Sequence, residues 1–348
     1  MFSTNSNLDC KFVNLLEKVS SFENLEHAFK ECSRRKRNCN GYLNMLQLNG
    51  ERLLSLKENL LQNKYEWGNY REFWVCDPKK RLVMAAPFVD RVVHHAIHRI
   101  IEPILDKNLS DSVFACRHGR GNRSAVQILF RKLNQIPKQT RYVLKLDIRQ
   151  YFPSINHKIL THQLLHQMPD QSLKKLLEDL LKSHPKFSQL GVGIPIGNLT
   201  SQLFANDYIS ELDRIACEGL GSPFFWNEIS DLNPTSFYIR YMDDLVFVSD
   251  NKKKVCSTAA NVISYAKEVL KLDIPVYKRI HLGNAGVPFL GFLLVKTCEP
   301  LSRNKRRIRR KIKRLHRKII GSNSNNKIKI SDLEMVVQSY KAWSTIEQ

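Results

Sequence analysis

Closely spaced cysteines, long apolar runs and a surplus of acidic residues are all missing from this sequence of 348 residues. The eight cysteines show none of the spacings that a zinc ribbon or a redox pair needs. No uncharged apolar run approaches the roughly 18 residues that span a membrane, and the N-terminus lacks the basic and then apolar pattern of an export signal. These absences predict a cytoplasmic protein with free thiols and no membrane partner.

What the sequence has in excess is positive charge. It carries 55 Lys and Arg residues against 33 Asp and Glu residues, a formal net charge of +22. This balance favours a polyanionic partner, because neutralising phosphates releases condensed counterions. With 43% apolar residues the chain can also bury a core, so we expect a folded protein that binds nucleic acid.

Hydrophobic periodicity predicts alternating helices and strands, which is typical of the α+β class. The predicted elements are helices within residues 1–70, a hairpin of 72–75 and 81–84, a helix from Asp90 that stops near Pro103, a strand over 142–146, a helix entered at Asn156, a helix over 201–215, a hairpin of 237–241 and 245–248, a helix over 255–271 and a last strand over 289–292. Eleven of the sixteen residues from Arg303 to Lys318 are Lys or Arg, and apolar residues recur among them at helical spacing. We expect a basic amphipathic helix there.

Three carboxylates occupy places where a sheet exposes its rim. Asp147 ends the strand over 142–146, and Asp243 with Asp244 lies at the tip of the second hairpin. Carboxylates can converge at such a rim without being buried unpaired, and hard oxygen ligands suit Mg²⁺. Two ions about 3.5–4 Å apart would clamp the attacking and leaving oxygens of a phosphoryl transfer. The alternative is structural, because Asp is also a common turn residue.

At these positions the sequence resembles the reverse transcriptases. Tyr241-Met242-Asp243-Asp244 is similar to their palm hairpin, and Asp147-Ile148-Arg149-Gln150-Tyr151-Phe152 is similar to their first catalytic motif. Lys79-Lys80-Arg81 with Asp90-Arg91 resembles a fingers hairpin, and Phe289-Leu290-Gly291-Phe292 resembles a primer grip. The resemblance implies a right-hand polymerase of the α+β class, with fingers, an antiparallel palm sheet packed on helices, and a small helical thumb.

One motif narrows the resemblance to the diversity-generating retroelement enzymes. Most reverse transcriptases carry Gln-Gly and end in Ser-Pro, whereas this chain has Ile196-Gly197 and Ser201-Gln202. The amide of the usual Gln can hydrogen-bond near the nucleotide, and Ile196 cannot, so discrimination between right and wrong pairs falls. The family implies error-prone copying of a template RNA at adenines, in a bacterial or phage-encoded element, with a small basic accessory variability protein as partner.

The resemblance also assigns roles to individual residues. The catalytic and metal-binding residues are Asp147, Asp243 and Asp244, with the carbonyl of Ile148 as a further ligand of two Mg²⁺ ions or of Mn²⁺ in their place. The residues expected around the deoxynucleoside triphosphate are Lys79, Lys80, Arg81, Ile148, Tyr151, Ile196, Gly197, Gln202 and Lys278. The residues expected on the template RNA or the RNA/cDNA hybrid are Arg117, Arg120, Arg123, Phe289, Leu290, Gly291, Arg306, Arg307 and Arg310.

Each role has a structural alternative. Tyr151, expected to be the steric gate against ribonucleotides, could be a core residue. The basic residues at 79–81 and 303–318 could form solvated surfaces, and Gly197 could be an ordinary turn glycine. Lys278, expected to protonate pyrophosphate, could be an exposed charge.

We therefore expect an N-terminal helical extension over residues 1–70, a fingers and palm domain over 71–299 and a basic helical thumb over 300–348. Two alternatives remain for the function. One is a retron-like, group II intron-like or defence-associated reverse transcriptase. The other is a catalytically silent RNA-binding scaffold, against which the three intact acids argue.

Overall fold

The structure of the chain is a computed structural model. It describes residues 14–34, 36, 39–46, 51–76, 80–225, 235–275, 280–282, 286–294 and 298–300, with residues 306, 309, 310, 312 and 313. The chain divides into two compact units, each composed of three stretches. The first unit takes Met1–Ser110, Asp147–Arg214 and Val262–Pro275, and the second takes Asp111–Leu146, Ile215–Asn261 and Val276–Gln348.

Helices and one small hairpin make up the first unit. Its elements are α1 (Leu15–Ser20), α2 (Phe22–Cys32), α3 (Asn40–Leu46), α4 (Glu51–Leu61), β1 (Arg71–Val75), β2 (Arg81–Ala85), α5 (Phe88–Asp106), α7 (Tyr151–Ser154), α8 (His157–Gln167), α9 (Gln171–Lys182), α10 (Pro185–Leu190) and α11 (Leu199–Tyr208). Helix α5 is its central element, because α1, α2, α3 and α11 all pack against it. Its Val92, Ala96 and Ile97 are fully buried.

An antiparallel sheet and helix α6 (Asn122–Gln135) form the second unit. The strands are β3 (Tyr142–Asp147), β4 (Ser236–Tyr241), β5 (Asp244–Ser249), β6 (Ile280–Leu282), β7 (Val287–Phe289), β8 (Phe292–Leu294) and β9 (Cys298–Pro300), and two further helices, α12 (Ser210–Leu220) and α13 (Lys252–Glu268), have residues in both units. The main sheet has the order β4-β5-β3-β6, and β7, β8 and β9 form a second sheet. One apolar cluster joins α6 to strands of both sheets.

These elements confirm the predicted α+β class and several local predictions. Both predicted hairpins form, since β1 pairs with β2 and β4 pairs with β5 in antiparallel register. Asn156 is the N-cap of α8, and its side chain accepts hydrogen bonds from the amides of Lys158 and Ile159. Among the described residues, six cysteines form no disulfide bond. Within the described residues, no helix is long and apolar enough to cross a membrane.

Three predictions of element boundaries were wrong. Helix α5 continues through Pro103 to Asp106, because Ile101 and Leu105 on either side of the proline are fully buried and their burial offsets the lost hydrogen bond. The predicted helix over 201–215 is two helices that break at Ile209. The predicted strand over 289–292 is interrupted, because Phe289 ends β7, Phe292 begins β8, and Leu290 (φ 45°) and Gly291 (φ 92°) form the turn between them.

The predicted thumb falls almost entirely outside the described residues. Arg306, Arg309 and Arg310 are described as helical and exposed, and residues 312 and 313 are helical as well. The remaining residues of the basic run and of the predicted thumb beyond Pro300 lie outside the described residues. The domain boundaries at 70 and 299 remain predictions.

Candidate active site

The tip of the β4–β5 hairpin carries two of the three predicted catalytic acids. Tyr241 pairs directly with Asp244, so Met242 and Asp243 form a two-residue turn. Met242 has φ 56°, in the left-handed region that a non-glycine residue adopts at some cost in free energy. Such strained residues cluster at functional sites, where the surrounding structure holds them in place. The tetrapeptide therefore has the backbone of a tight hairpin turn, with both carboxylates half-buried.

Arg240 contacts the backbone of this turn through its side chain. Its side chain is fully buried, and Nη1 donates a hydrogen bond of 3.4 Å to the carbonyl oxygen of Met242. Its backbone amide donates to the carbonyl of Ser112 at 2.9 Å, and its carbonyl accepts from the amide of Phe114 at 3.0 Å. The segment around residue 113 thus pairs with β4 just before the acids. Sequence reasoning missed Arg240, although a charged residue within an apolar strand was a visible signal.

Lys145 connects Asp244 to the second sheet. Its Nζ lies 3.7 Å from Oδ1 of Asp244 and donates a hydrogen bond of 2.9 Å to the carbonyl of Pro288. The same ammonium group lies 5.7 Å from the ring centroid of Phe289. A positive charge beside Asp244 offsets part of the repulsion between adjacent carboxylates. Sequence reasoning did not single out Lys145.

The third acid, Asp147, is the last residue of β3. The order of the main sheet makes β3 the neighbour of β5, whose first residue is Asp244. All three acids are half-buried and offer the carboxylate oxygens that Mg²⁺ or Mn²⁺ prefers, so the chemistry of the donor set fits such an ion. Among the described residues, no group of three or more His, Cys, Asp or Glu side chains is placed to hold a metal ion. The meeting of the three acids around metal therefore remains a prediction.

The loop expected to contact the nucleotide joins the edge of β2. The amide of Met84 donates a hydrogen bond of 2.9 Å to the carbonyl of Ile196. Gly197 has φ 128°, and a Cβ there would lie 3.0 Å from the Met84 carbonyl oxygen and from Cγ1 of Val83. Only glycine fits this close approach, which explains Gly197 structurally without excluding a role in nucleotide binding. Ile196 is half-buried, and Gln202 lies exposed on α11.

Tyr151 lies in the core of the first unit. Its side chain is 2% exposed, and its hydroxyl donates a hydrogen bond to the carbonyl of Ala205. This is the placement that the structural alternative predicts, and the gate role remains a prediction. The side chain of Ile148 is likewise buried and has no donor atom, so its backbone carbonyl is the candidate ligand.

Among the predicted cationic contacts, Lys80 and Arg81 are exposed. The ammonium group of Lys80 lies 4.4 Å from the centroid of the Trp74 ring, so the hairpin presents an aromatic ring beside a charge. Lys79, Lys278 and Arg307 lie outside the described residues.

The predicted template contacts differ in their surroundings. Arg120 forms an ion pair with Asp111, and its guanidinium carbon lies 5.5 Å from the Phe114 ring centroid, so it has a structural role. Arg117 donates a hydrogen bond of 3.3 Å to the carbonyl of Val113. Arg123 is exposed at the start of α6. Contact with nucleic acid remains a prediction for all three.

Comparison with known proteins identifies the family. Residues 77–294 match the model of the reverse transcriptase (RNA-dependent DNA polymerase) family, which is more than half of the chain. The chain therefore belongs to the reverse transcriptases, a family of RNA-directed DNA polymerases. The matched segment contains all three predicted acids, strand β2 of the predicted fingers hairpin and the Ile196–Gly197 loop.

Two relatives and one solved structure are similar to parts of the chain. Protein YkfC of Escherichia coli K12 is 24% identical over 268 residues, which are 69% of this chain and 70% of that protein. The group II intron-encoded protein LtrA of Lactococcus lactis is 23% identical over 175 residues, which are 48% of this chain but 28% of that protein. A telomerase structure from Candida tropicalis, in complex with a fragment of telomeric RNA, is 10% identical with a TM-score of 0.50, covers 84% of this chain and 57% of that one, and shows the shared fold.

Proposed function

We propose that this chain copies a template RNA into cDNA by extending a primer with deoxynucleoside triphosphates. The observation that carries the proposal is the strained turn between Tyr241 and Asp244, to which Arg240 donates a hydrogen bond. Strand β5, which begins at Asp244, is the neighbour of β3, which ends in Asp147. The family match supports the same reaction class.

Particular residues of the chain can be assigned to binding the metal ions and to binding the triphosphate. Asp147, Asp243 and Asp244 would hold the divalent ions, with the Ile148 carbonyl as a further ligand. When bound, two such ions neutralise phosphate charge and lower the pKa of the attacking primer hydroxyl. Lys80 and Arg81, exposed on the fingers hairpin, bind the triphosphate and stabilise the charge that spreads over its oxygens in the transition state.

We infer further that the enzyme is error-prone and belongs to a diversity-generating retroelement. Ile196 and Gln202 support this subtype, because an aliphatic side chain cannot supply the polar nucleotide contact of the usual Gln. In this proposal the chain acts in the cytoplasm with a template RNA and a small basic accessory protein. Sequencing the cDNA made from a template with many adenines tests it: errors concentrated at adenines support the subtype, and uniform errors exclude it.

A group II intron-like enzyme is the second candidate. Its support is the similarity to LtrA, described as a group II intron-encoded protein. High-fidelity copying of the same template, with no excess of errors at adenines, would favour it over the diversity-generating subtype.

Changing Asp243 to Asn tests the polymerase activity. The substitution removes a charge without changing the shape of the turn, so Mg²⁺-dependent incorporation should fall at least about a hundredfold while RNA binding persists. Asp250→Asn is the matched control, since Asp250 directly follows the other end of β5. Unchanged incorporation by the Asp243→Asn protein would refute the metal assignment. Absence of incorporation by the wild type with every template offered would favour the silent scaffold.

A further inference from the structure

A chain of hydrogen bonds runs from the Ile196–Gly197 loop into the helices of the first unit. Nδ2 of Asn198 lies 2.9 Å from the hydroxyl of Tyr70, which lies 2.9 Å from Oγ of Ser183. Ser183 Oγ in turn donates a hydrogen bond of 2.7 Å to the carbonyl of Leu180. Burial raises the pKa of Tyr70, so its hydroxyl keeps its proton.

The number of protons sets the direction of every bond in this chain. Ser183 has one hydroxyl proton and uses it on Leu180, so it must accept from Tyr70. Tyr70 has then used its own proton and must accept from the amide of Asn198. The orientation of the Asn198 amide is therefore fixed: Nδ2 faces Tyr70, and Oδ1 is on the other side.

Asn198 is also in an unusual position for its residue type. It is the N-cap of α11, where an Asn side chain ordinarily accepts a hydrogen bond from the first helical amides. Here it makes no capping bond, is 3% exposed, and its Oδ1 has no hydrogen-bond partner within the described residues. The helix gives up its cap and a buried acceptor is left unpaired, both of which reduce stability. The bond to Tyr70 is thus maintained at the expense of local stability.

The same loop is held on its other side by the fingers hairpin. The amide of Met84 in β2 donates a hydrogen bond to the carbonyl of Ile196, and Gly197 lies so near β2 that a Cβ there would be 3.0 Å from the carbonyl oxygen of Met84. The hairpin itself is anchored next to Ser183, because Nε2 of His184 lies 3.0 Å from Oε1 of Glu72 in β1. The His184 ring also packs edge-on against Tyr70, with 5.1 Å between the centroids. The loop and the hairpin thus share one anchor at the junction of α9 and α10.

We propose that Tyr70 and Asn198 are positioning residues that hold the Ile196–Gly197 loop in register with β2, and so set the shape of the pocket for the incoming nucleotide. This inference rests on the proposed polymerase function. Neither residue is expected to touch the nucleotide. They act through the backbone at 196–197 on one side and through the hairpin that carries Arg81 on the other.

Removing the Tyr70 hydroxyl separates this role from a merely structural one. In Tyr70→Phe, the Asn198 amide loses its acceptor and the loop is free to shift, so the KM for the deoxynucleoside triphosphate should rise about 5-fold to 20-fold. The kcat should change less than about 2-fold, because the predicted catalytic acids belong to other segments of the chain. Loss of folding stability alone would lower the amount of active enzyme and leave KM unchanged.

The matched control is Tyr65→Phe. Tyr65 is another half-buried tyrosine of the same unit, and its hydroxyl donates a hydrogen bond of 2.6 Å to Asp90 rather than to the loop. Both variants should melt at a lower temperature than the wild type, and only Tyr70→Phe should raise KM. The double variant that combines Tyr70→Phe with Asn198→Leu should raise KM no more than either single change, because each change alone removes the hydrogen bond between Asn198 and Tyr70.

Three outcomes decide the proposal. An unchanged KM in Tyr70→Phe, with polymerisation by the wild type intact, would overturn the positioning role and leave the polymerase function standing. A wild type that incorporates no nucleotide would refute the polymerase function itself. If Tyr70→Phe does not fold, Ser183→Ala removes the acceptor at the far end of the chain and should raise KM in the same direction; an unchanged KM there would equally overturn the role.

Discussion

Ile196 and Tyr151 show how a single residue can be explained by packing and still be a candidate for specificity. The carbonyl of Ile196 accepts a hydrogen bond from β2, so we expect a change of its side chain to alter the chemistry of the predicted nucleotide pocket more than the course of the backbone. Tyr151 is bonded to α11 at its hydroxyl, so a change there loosens the core as well. The two residues therefore require different substitutions.

Ile196→Gln should lower misincorporation opposite template adenine. Gln supplies an amide that can hydrogen-bond near the sugar and base of the nucleotide, and one fixed polar contact changes discrimination by about tenfold or more. Sequencing of cDNA from an adenine-rich template measures the effect. Val192→Gln, at another half-buried apolar residue that precedes the loop, is the control. An error spectrum identical to that of the wild type would remove the fidelity argument.

Tyr151→Ala should admit ribonucleotides if the ring is the steric gate. The same change removes a fully buried aromatic ring, so we also expect a loss of about 3–5 kcal/mol in the free energy of unfolding. Tyr151→Phe keeps the ring and loses the hydroxyl that donates to Ala205, so it should still exclude ribonucleotides. Competition between ribonucleoside and deoxyribonucleoside triphosphates measures the selectivity. Continued exclusion by a folded Tyr151→Ala protein would assign Tyr151 to the core alone.

At the scale of elements, α5 links the N-terminal helices to α11. Nδ1 of His94 lies 2.7 Å from Oγ1 of Thr200, and the imidazole is fully buried, with Nε2 lacking a hydrogen-bond partner within the described residues. Burial lowers the pKa of His94 to about 3, and it lowers the pKa of His98, one turn further on, to about 4. His94 and His98 of α5 are therefore uncharged at neutral pH.

The pH dependence of stability should report on His94. The unfolded chain takes up a proton near pH 6.5, whereas the folded protein does so only near pH 3, so stability is fully present above pH 6.5 and falls as the pH decreases below it. His94→Gln should reduce that slope by about one proton, or about 1.4 kcal/mol per pH unit. Urea unfolding between pH 7 and pH 4.5 measures it. A slope in His94→Gln equal to that of the wild type would contradict the assignment.

Local patterns were sufficient to predict the elements that carry the acids. Two β-prone runs separated by residues 242–244 predicted the hairpin, whose turn in the structure is one residue shorter because Asp244 pairs with Tyr241, and Asn156 predicted the start of α8. Pro103 and the turn at Leu290–Gly291 were predicted wrongly, because burial of neighbouring side chains overrides a local preference in one case and positive φ angles reverse the chain in the other.

Contacts between distant residues could not be predicted in this way. The bond between Tyr70 and Asn198 joins residues 128 positions apart, and neither has a neighbour in sequence that indicates a partner. The ion pair between Lys145 and Asp244 is of the same kind. Such pairs depend on how helices and strands pack. Motifs in the sequence therefore predicted candidate residues for the site, whereas the residues that contact those candidates were seen only in the structure.

At the scale of the whole molecule, net charge is the dominant feature. A surplus of 22 positive charges opposes compact folding through self-repulsion, and binding of a polyanion relieves it. Exposed cations are described at Lys80, Arg81 and Arg123, and at Arg306 and Arg310 within the basic run. The number of these that bind phosphate sets the salt dependence of binding.

Affinity for a template–primer hybrid should therefore fall steeply with salt. If about six phosphates are neutralised, binding should weaken roughly a thousandfold between 50 and 200 mM salt. Arg306→Gln with Arg310→Gln should reduce the slope of log K against log salt by about two, because each phosphate that is no longer neutralised keeps about one counterion. Lys174→Gln with Lys175→Gln, two exposed positions on α9, is the charge-matched control and should leave the slope unchanged. If Arg306 and Arg310 bind phosphate, the two double variants should differ in slope. Equal slopes would show that these two arginines contribute only to the net charge of the protein.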